Sequence, residues 1–351
     1  MSVNYAAGLS DYAHKGKCGQ PEFIDSAEEL RDKIEQLTAL IKSSNHCVVL
    51  TGAGISTSTG IPDFRGPKGV WTLEEKGVDP TFTTTFDDAI PSYSHLALVA
   101  LEQCGIVKYL VTQNVDGLHG RSGFPLDRMS ILHGDMFIEQ CEKCNQKFIR
   151  SSSVNTMGLK YTGTSCINKS RRGVGCRGKL RDTILDWEDA LPEKEFEAAL
   201  EHSKKADVYL VLGSSLQIVP AGNLPLHCRK TGGKFVSVNL QKTKHHKKTD
   251  IVIHSYIDGV MKGLCDALGV VVPTYSAPRV LLHSQHCLKK GSCLSSKTSI
   301  FDGNHFLNID SKFDDKKTNF DLKPSLNSTD LKRKYDIPND DMVKKESKFD
   351  T

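Results

Sequence analysis

No run of residues approaches the roughly 18 consecutive apolar side chains that a membrane-spanning helix needs. The first ten residues carry neither the basic start nor the apolar core of a secretory signal, so the chain reads as one without such a leader. An excess of one sign of charge is also missing. The formal net charge is only +4, a mild basic bias that admits a polyanionic partner without requiring one. There is no Gly-x-Ser-x-Gly elbow and no His-Glu-x-x-His pair, so serine-hydrolase and zinc-protease readings lack their motifs. Eleven cysteines is an odd number, which argues against a secreted disulfide framework and for a reducing compartment with a metal site. At 351 residues the chain accommodates one large domain or two, plus a tail.

What is present begins at Cys47. A short apolar run, Cys47 to Leu50, breaks into a loop rich in Gly, Ser and Thr, which is the order strand, then phosphate loop. Gly52 and Gly54 would let backbone N–H groups approach an anion with no Cβ in the way. A hydride-transfer fingerprint would place its third glycine at position 57, where Thr57 stands; the next glycine is Gly60. The loop therefore points to an unusual dinucleotide site, continued by Asp63-Phe64-Arg65-Gly66.

Further apolar runs at 107–112, 208–212, 235–240 and 251–254 read as strands of a buried parallel sheet. Helical patterns separate several of them, at 92–104, 193–204 and 258–268. Ser26 with Glu29 forms a capping box for a helix over 27–42, whose Leu30, Ile34, Leu37 and Ile41 share one face. The alternation predicts an α/β fold, a doubly wound Rossmann-like parallel sheet. Ligands in such folds bind at the carboxyl ends of the strands, so Gln113-Asn114-Val115-Asp116, Gly213-Ser214-Ser215 and Asn239-Leu240-Gln241 should converge on one crevice. The expected organisation is an N-terminal segment over 1–25, the Rossmann-like domain over 26–134 and 186–272, a small zinc-binding domain inserted over 135–185, and a largely disordered basic tail over 273–351. Lys332-Arg333-Lys334 and Lys344-Lys345 in that tail read first as a solvated surface, and second as an import signal or nucleic-acid arm.

Cys141-x-x-Cys144, Cys166 and Cys176 fall within the insert. The first pair has zinc-knuckle spacing, and four thiolates would fill a tetrahedral ion, leaving no open position for water. The metal is thus expected to fold the insert and to take no part in catalysis. Cys47, Cys104 and Cys265 read as core residues. His133, between an apolar run and Gly134, reads either as a satisfied core histidine or as a group reaching the crevice. A base, an amide (Asn114) and a carboxylate (Asp116) beside a dinucleotide suit chemistry at the nicotinamide ribose better than hydride transfer.

The glycine loop, Gly60-Ile61-Pro62-Asp63-Phe64-Arg65, the Gln113 to Asp116 motif, His133-Gly134, the four cysteines and Gly213-Ser214-Ser215 together resemble the sirtuin family. The first ten residues, Gly69-Val70-Trp71-Thr72 and the stretch from Leu180 to Asp189 are similar to its class IV, sirtuin-six branch. The resemblance covers about residues 1 to 272. It implies an NAD-dependent protein-lysine deacylase in which the acyl oxygen attacks C1′ of the nicotinamide ribose and expels nicotinamide. The 2′-hydroxyl then attacks the imidate carbon, and water releases O-acyl-ADP-ribose. By the same resemblance His133 is the general base and Asn114 holds the ribose and a water. Asp116, Ile61 and Asp63 shape the nicotinamide pocket. Gly52, Ala53 and Thr57 form the phosphate and ribose loop, and Phe64, Arg65 and Trp71 cover the cofactor. Gln113 contacts a ribose, Gly213 and Ser214 the pyrophosphate, Asn239 and Gln241 the adenosine ribose, and Ile257 the adenine. Cys141, Cys144, Cys166 and Cys176 hold one structural zinc ion. The implied partners are acylated lysines of histone H3 tails and chromatin in the nucleus, with a possible DNA contact through the basic insert and tail. Long fatty-acyl removal and mono-ADP-ribosylation are implied as well. The competing readings are mono-ADP-ribosyl transfer as the main activity, and a chromatin-binding module without catalysis.

Overall fold

The computed structural model describes residues 3–169 and 173–284, with the short strand pairs 298–299 and 307–308. The basic clusters at 332–334 and 344–345, and positions 170–172 of the basic insert, lie outside the described residues.

Ser26 accepts from the Glu29 N–H while the Glu29 carboxylate accepts from the Ser26 N–H, closing the expected capping box on α1 (Ala27–Ser43). β1 (Cys47–Thr51) follows, buried along its whole length. Then come α2 (Val70–Glu75), α3 (Tyr93–Gln103), β2 (Val107–Thr112), α4 (Leu118–Arg121) and β3 (Met129–Ile131). After an excursion through β4 (Ile138–Cys141), β5 (Lys147–Ile149), β6 (Tyr161–Ser165) and β7 (Lys179–Asp182), the alternation resumes. It runs through α5 (Glu193–Lys205), β8 (Val208–Leu212), α6 (Pro225–Lys230), β9 (Lys234–Val238), β10 (Ile251–Ile253) and α7 (Ile257–Leu268).

The strands form one parallel sheet in the order β10-β9-β8-β1-β2-β3. Outward from β1, the chain runs through β2 and β3 on one side and through β8, β9 and β10 on the other. That is the doubly wound order, and β1 and β8 flank its switch point. One face packs Leu37, Ile41, Leu98 and Leu101 with Val260 and Leu264, from α1, α3 and α7. The opposite face packs Tyr209 and Phe235 with Ala199, Leu224 and Cys228, from α5 and α6. Buried on both faces, the central strands carry continuous apolar runs, which is why their sequence signal was strong.

Strands β4 to β7 form a separate antiparallel sheet in the order β5-β4-β7-β6, with β13 (Leu307–Asn308) beside β5. Its own core is small: Cys141, Phe148, Cys166 and Leu180. β11 (Val280–Leu281) pairs with β12 (Thr298–Ser299), and Val280, Leu281 and Leu282 are buried. The 279–284 segment is pinned by Arg279 N–H to Arg121 O and Asp127 N–H to Leu282 O, so this part of the expected 273–351 tail is docked chain. Cys47 and Cys265 are core residues, whereas Cys104 is exposed. Cys104 is the C-cap of α3 rather than a position on its packed face, which corrects the core reading of that residue. No helix among the described residues is long and apolar enough to cross a membrane.

Candidate functional site

The carboxyl ends of β1, β2, β8 and β9 open into one cavity of about 840 Å³. It is lined by Gly52, Ala53, Ile61, Asp63, Phe64, Arg65, Trp71, Gln113, Asn114, Asp116, His133, Gly213, Ser214, Asn239 and Gln241. Thr57 and Ile257 are not in its wall. Thr57 is exposed and donates its hydroxyl to Gly54 O, and Ile257 packs in the core at the start of α7.

The glycine loop works differently from the sequence expectation. The Gly52 N–H donates to Leu212 O (3.0 Å) and the Gly54 N–H to Gly213 O (2.9 Å). Those two amides join β1 to β8 and are not free for an anion. Glycine is required for close approach instead: a Cβ on Gly54 would stand 2.8 Å from Gly213 Cα, and Gly213 itself has φ +63°.

The following loop folds back on α2, with Val70 N–H donating to Asp63 O and Trp71 N–H to Phe64 O. Burial raises the Asp63 carboxyl above its ordinary value although it accepts the Gly66 N–H at 2.9 Å. Phe64 and Trp71 rings meet at 4.8 Å, and the Arg65 guanidinium lies 4.5 Å over the Trp71 ring. Arg65 donates from Nε to Lys15 O at 2.7 Å, but among the described residues its buried Nη2 has no protein partner. A buried cation with an unpartnered donor in a cavity wall is an unmet demand for an anion, as a pyrophosphate would supply.

Below this loop, Ser56 links the polar groups. Its hydroxyl donates to Asp116 Oδ2 at 2.7 Å and accepts from Asn114 Nδ2 at 3.2 Å, while Asp116 Oδ1 accepts the Leu118 N–H. Burial raises the Asp116 carboxyl, and these hydrogen bonds pull it back. Gln113 Oε1 accepts from Ser214 Oγ at 2.6 Å, tying β2 to β8 across the cavity floor. Gln241 Nε2 donates to Gln20 O and Arg65 O, so it fastens the N-terminal segment and the Arg65 loop. Asn239 Nδ2 donates to Gln241 O.

His133 follows β3, half-buried, with Nδ1 2.9 Å from Gln113 O. A carbonyl only accepts, so Nδ1 carries the proton and Nε2 is left with its lone pair. Burial lowers the His133 pKa, opposed by the bond to Gln113, so the ring is neutral at pH 7. Gly134 has φ +90°, and a Cβ there would collide with Thr183 O at 1.9 Å; only glycine turns the chain here into the insert.

The far wall was not legible in the strand-end motifs. Tyr5 packs edge-on to Phe64 at 6.0 Å, and Trp187 packs on Trp71 at 5.2 Å and stacks on Tyr12 at 5.2 Å. With Val3, Phe86, Val115 and Leu185 they make one side of the cavity apolar. Ser56, in the glycine loop, carries no role in the sequence reading. A hydroxyl surrounded by small loop residues and ahead of two polar strand-end groups was the available signal.

The four insert cysteines come together, with all sulfurs within 4.8 Å of one another. Cys141 and Cys176 sulfurs are 3.7 Å apart, as are those of Cys144 and Cys166. A tetrahedron with Zn–S bonds of about 2.3 Å has edges of roughly 3.8 Å, so the donor set fits zinc. The Lys143 and Asn168 amides donate to the Cys141 and Cys166 sulfurs, each at 3.4 Å, which favours the thiolates.

A doubly wound sheet with a neutral histidine, an unpartnered arginine donor and a four-thiolate module defines a dinucleotide-dependent enzyme with a structural metal. The comparisons with known proteins agree. Residues 81–220 match the Sir2 family. The chain is 52% identical over 278 residues to the NAD-dependent protein deacetylase Sirt6 of Drosophila melanogaster, covering 79% of this chain and 88% of that one. It is 37% identical to the NAD-dependent protein deacetylase sir-2.4 of Caenorhabditis elegans, covering 78% and 94%. The solved Sir2–p53 peptide–NAD+ structure superposes with a TM-score of 0.51 at 28% identity, over 67% of this chain and 98% of that one. Sir2Tm bound to a propionylated peptide gives 0.52 at 29%, over 68% and 100%. The chain belongs to the sirtuin family, the Sir2 NAD-dependent protein deacylases.

Proposed function

We propose that this chain removes acyl groups, short and long, from lysines of histone H3 tails and other chromatin proteins in the nucleus, converting NAD to nicotinamide and O-acyl-ADP-ribose. The observation that carries the reading is His133: its proton is committed to Gln113 O, and it lines the same cavity as Asn114 and Arg65.

NAD, when bound, supplies the C1′–nicotinamide bond whose cleavage drives the reaction. His133 Nε2 accepts the proton of a ribose hydroxyl as that oxygen becomes a nucleophile. Asn114, oriented by Ser56, holds the ribose, and Asp116, Asp63 and Ile61 bound the nicotinamide side. Phe64 and Trp71 keep water from the electron-poor carbon. Arg65 Nη2 pairs with the pyrophosphate, helped by Ala53, Gly213 and Ser214. Gln113, Asn239 and Gln241 serve the riboses. One zinc ion on Cys141, Cys144, Cys166 and Cys176 holds the insert.

Arg65→Lys keeps the charge but loses the planar fork. KM for NAD is expected to rise about tenfold, the worth of one hydrogen bond to a charged partner. Saturation kinetics in NAD check this, and an unchanged KM would remove Arg65 from the cofactor site.

The apolar wall of Val3, Tyr5, Phe86, Val115 and Trp187 supports acceptance of long chains. Acetyl and myristoyl H3 peptides incubated with NAD, read by mass spectrometry, should each yield the matching O-acyl-ADP-ribose. Turnover of acetyl peptide alone would restrict the reading to short chains. Transfer of ADP-ribose to protein at a rate above deacylation would replace it with the transferase reading.

A further inference from the structure

Two buried histidines beneath the site have no part in the chemistry above. His95 lies in the first turn of α3 and His119 on α4, both almost wholly inaccessible, with ring centroids 4.6 Å apart. Burial pushes the His95 pKa down to about 3 and holds His119 well below its ordinary value, so both rings are neutral.

The hydrogen bonds fix which nitrogen of each ring carries the proton. The Ser92 N–H donates to His95 Nδ1 at 3.2 Å, so Nδ1 is an acceptor and the proton sits on Nε2. The Thr51 hydroxyl donates to Thr112 Oγ1 at 3.0 Å, so at 2.9 Å it must accept from His119 Nε2–H. His119 Nδ1 is then a bare acceptor. Among the described residues no protein group reaches His95 Nε2 or His119 Nδ1, and both atoms are buried. One is a donor and the other an acceptor, on rings in contact. A buried donor and a buried acceptor on two rings in contact are the situation in which a buried water is retained.

We propose that one buried water molecule joins His95 Nε2–H to His119 Nδ1, completing a hydrogen-bond chain that links the start of α3 to the Asn114 backbone and making His119 a positioning residue for the ribose-binding turn. The chain runs from Ser92 through His95, the water, His119 and Thr51 to Thr112. Thr112 Oγ1 also accepts the Asn114 N–H at 3.1 Å. The adjoining residue, Gln113, holds His133 through its carbonyl and Ser214 through its side chain. A shift of this turn therefore moves the amide, the base and the cavity floor together. No proton moves along the chain; it fixes geometry.

The test has a structural and a kinetic part. In the wild-type protein, nitrogen-15 imidazole spectra should show His95 and His119 as Nε2–H tautomers that do not titrate between pH 5 and 8, and a high-resolution crystal structure should show one water between the rings. An Nδ1–H tautomer at either ring, or no water, overturns the proposal. The kinetic part rests on the deacylase reading. His119→Phe, which cannot accept from the water or donate to Thr51, is expected to lower kcat roughly tenfold, the order of loss from a small misplacement of reacting groups. KM for NAD should change less. His119→Gln, which can do both, should recover most of the loss. Equal kcat in His119→Phe and wild type would show a purely structural role and overturn the positioning claim. Wild-type protein inactive on every acyl peptide would instead count against the deacylase reading and leave the spectra to decide the water.

Discussion

His133→Tyr is expected to lower kcat for O-acyl-ADP-ribose formation by about 10²–10⁴-fold, the usual contribution of a positioned general base. The phenol can still occupy the space, but its oxygen is protonated near neutrality and does not accept a ribose proton. Binding of NAD should survive, because Arg65 and the loops at β1 and β8 are untouched. The assay is release of O-acyl-ADP-ribose from an acylated H3 peptide, and undiminished turnover would refute the assigned base. The wild-type pH profile adds a second check. Burial lowers the His133 pKa, so the acid limb of the activity profile should lie at lower pH than an ordinary histidine would give. A base-limb pKa above that of free histidine would contradict the burial seen here.

Removal of the metal is the second large effect. Zinc binding to small modules contributes apparent free energies of about 10–16 kcal/mol at neutral pH, and that energy is folding energy. Among the described residues, the buried cluster around the cysteines adds only Phe148 and Leu180, while Ile149 of β5 packs on Val280 and Leu282 outside the module, so the module's own core is too small to stand alone. Cys166→Ser, or a strong chelator, is expected to unfold residues 138–182 and to abolish deacylation, although no zinc ligand is in the cavity. The coupling is through the backbone. The Leu185 N–H donates to His133 O, and Thr183 Oγ1 accepts the Asp135 N–H, so the strand leaving the module holds the histidine turn. Atomic absorption on purified protein should give one zinc per chain. Protein that lacks zinc yet keeps full activity and an intact circular dichroism spectrum would sink this account.

The parallel sheet was legible because its strands are buried on both faces. β2 and β8 span the residues their apolar runs indicate, and the Ser26–Glu29 box sets the start of α1. β3 has three residues and α6 six, with proline at its start, and neither is long enough to show a period. The insert's antiparallel strands alternate weakly because they gather around a four-cysteine cluster rather than an extended apolar face. The missing third glycine carried real information, but its reason was misplaced. Gly52 and Gly54 are needed where β1 meets β8, two strands separated by more than 150 residues in sequence.

By itself the sequence determined the fold class, the four cysteines that come together in the insert, and the chemical types gathered at the strand ends. These follow from local periodicity, cysteine spacing and residue identity, all short-range properties. Only the tertiary structure decided the state of those groups. The proton of His133 is placed by a carbonyl from another strand, and Arg65 is left with an unpartnered donor by its packing on Trp71. The apolar wall comes from the N-terminal segment and Trp187, which meet across most of the domain's sequence. Burial and long-range contact set protonation and access, and neither has a signature in the order of residues.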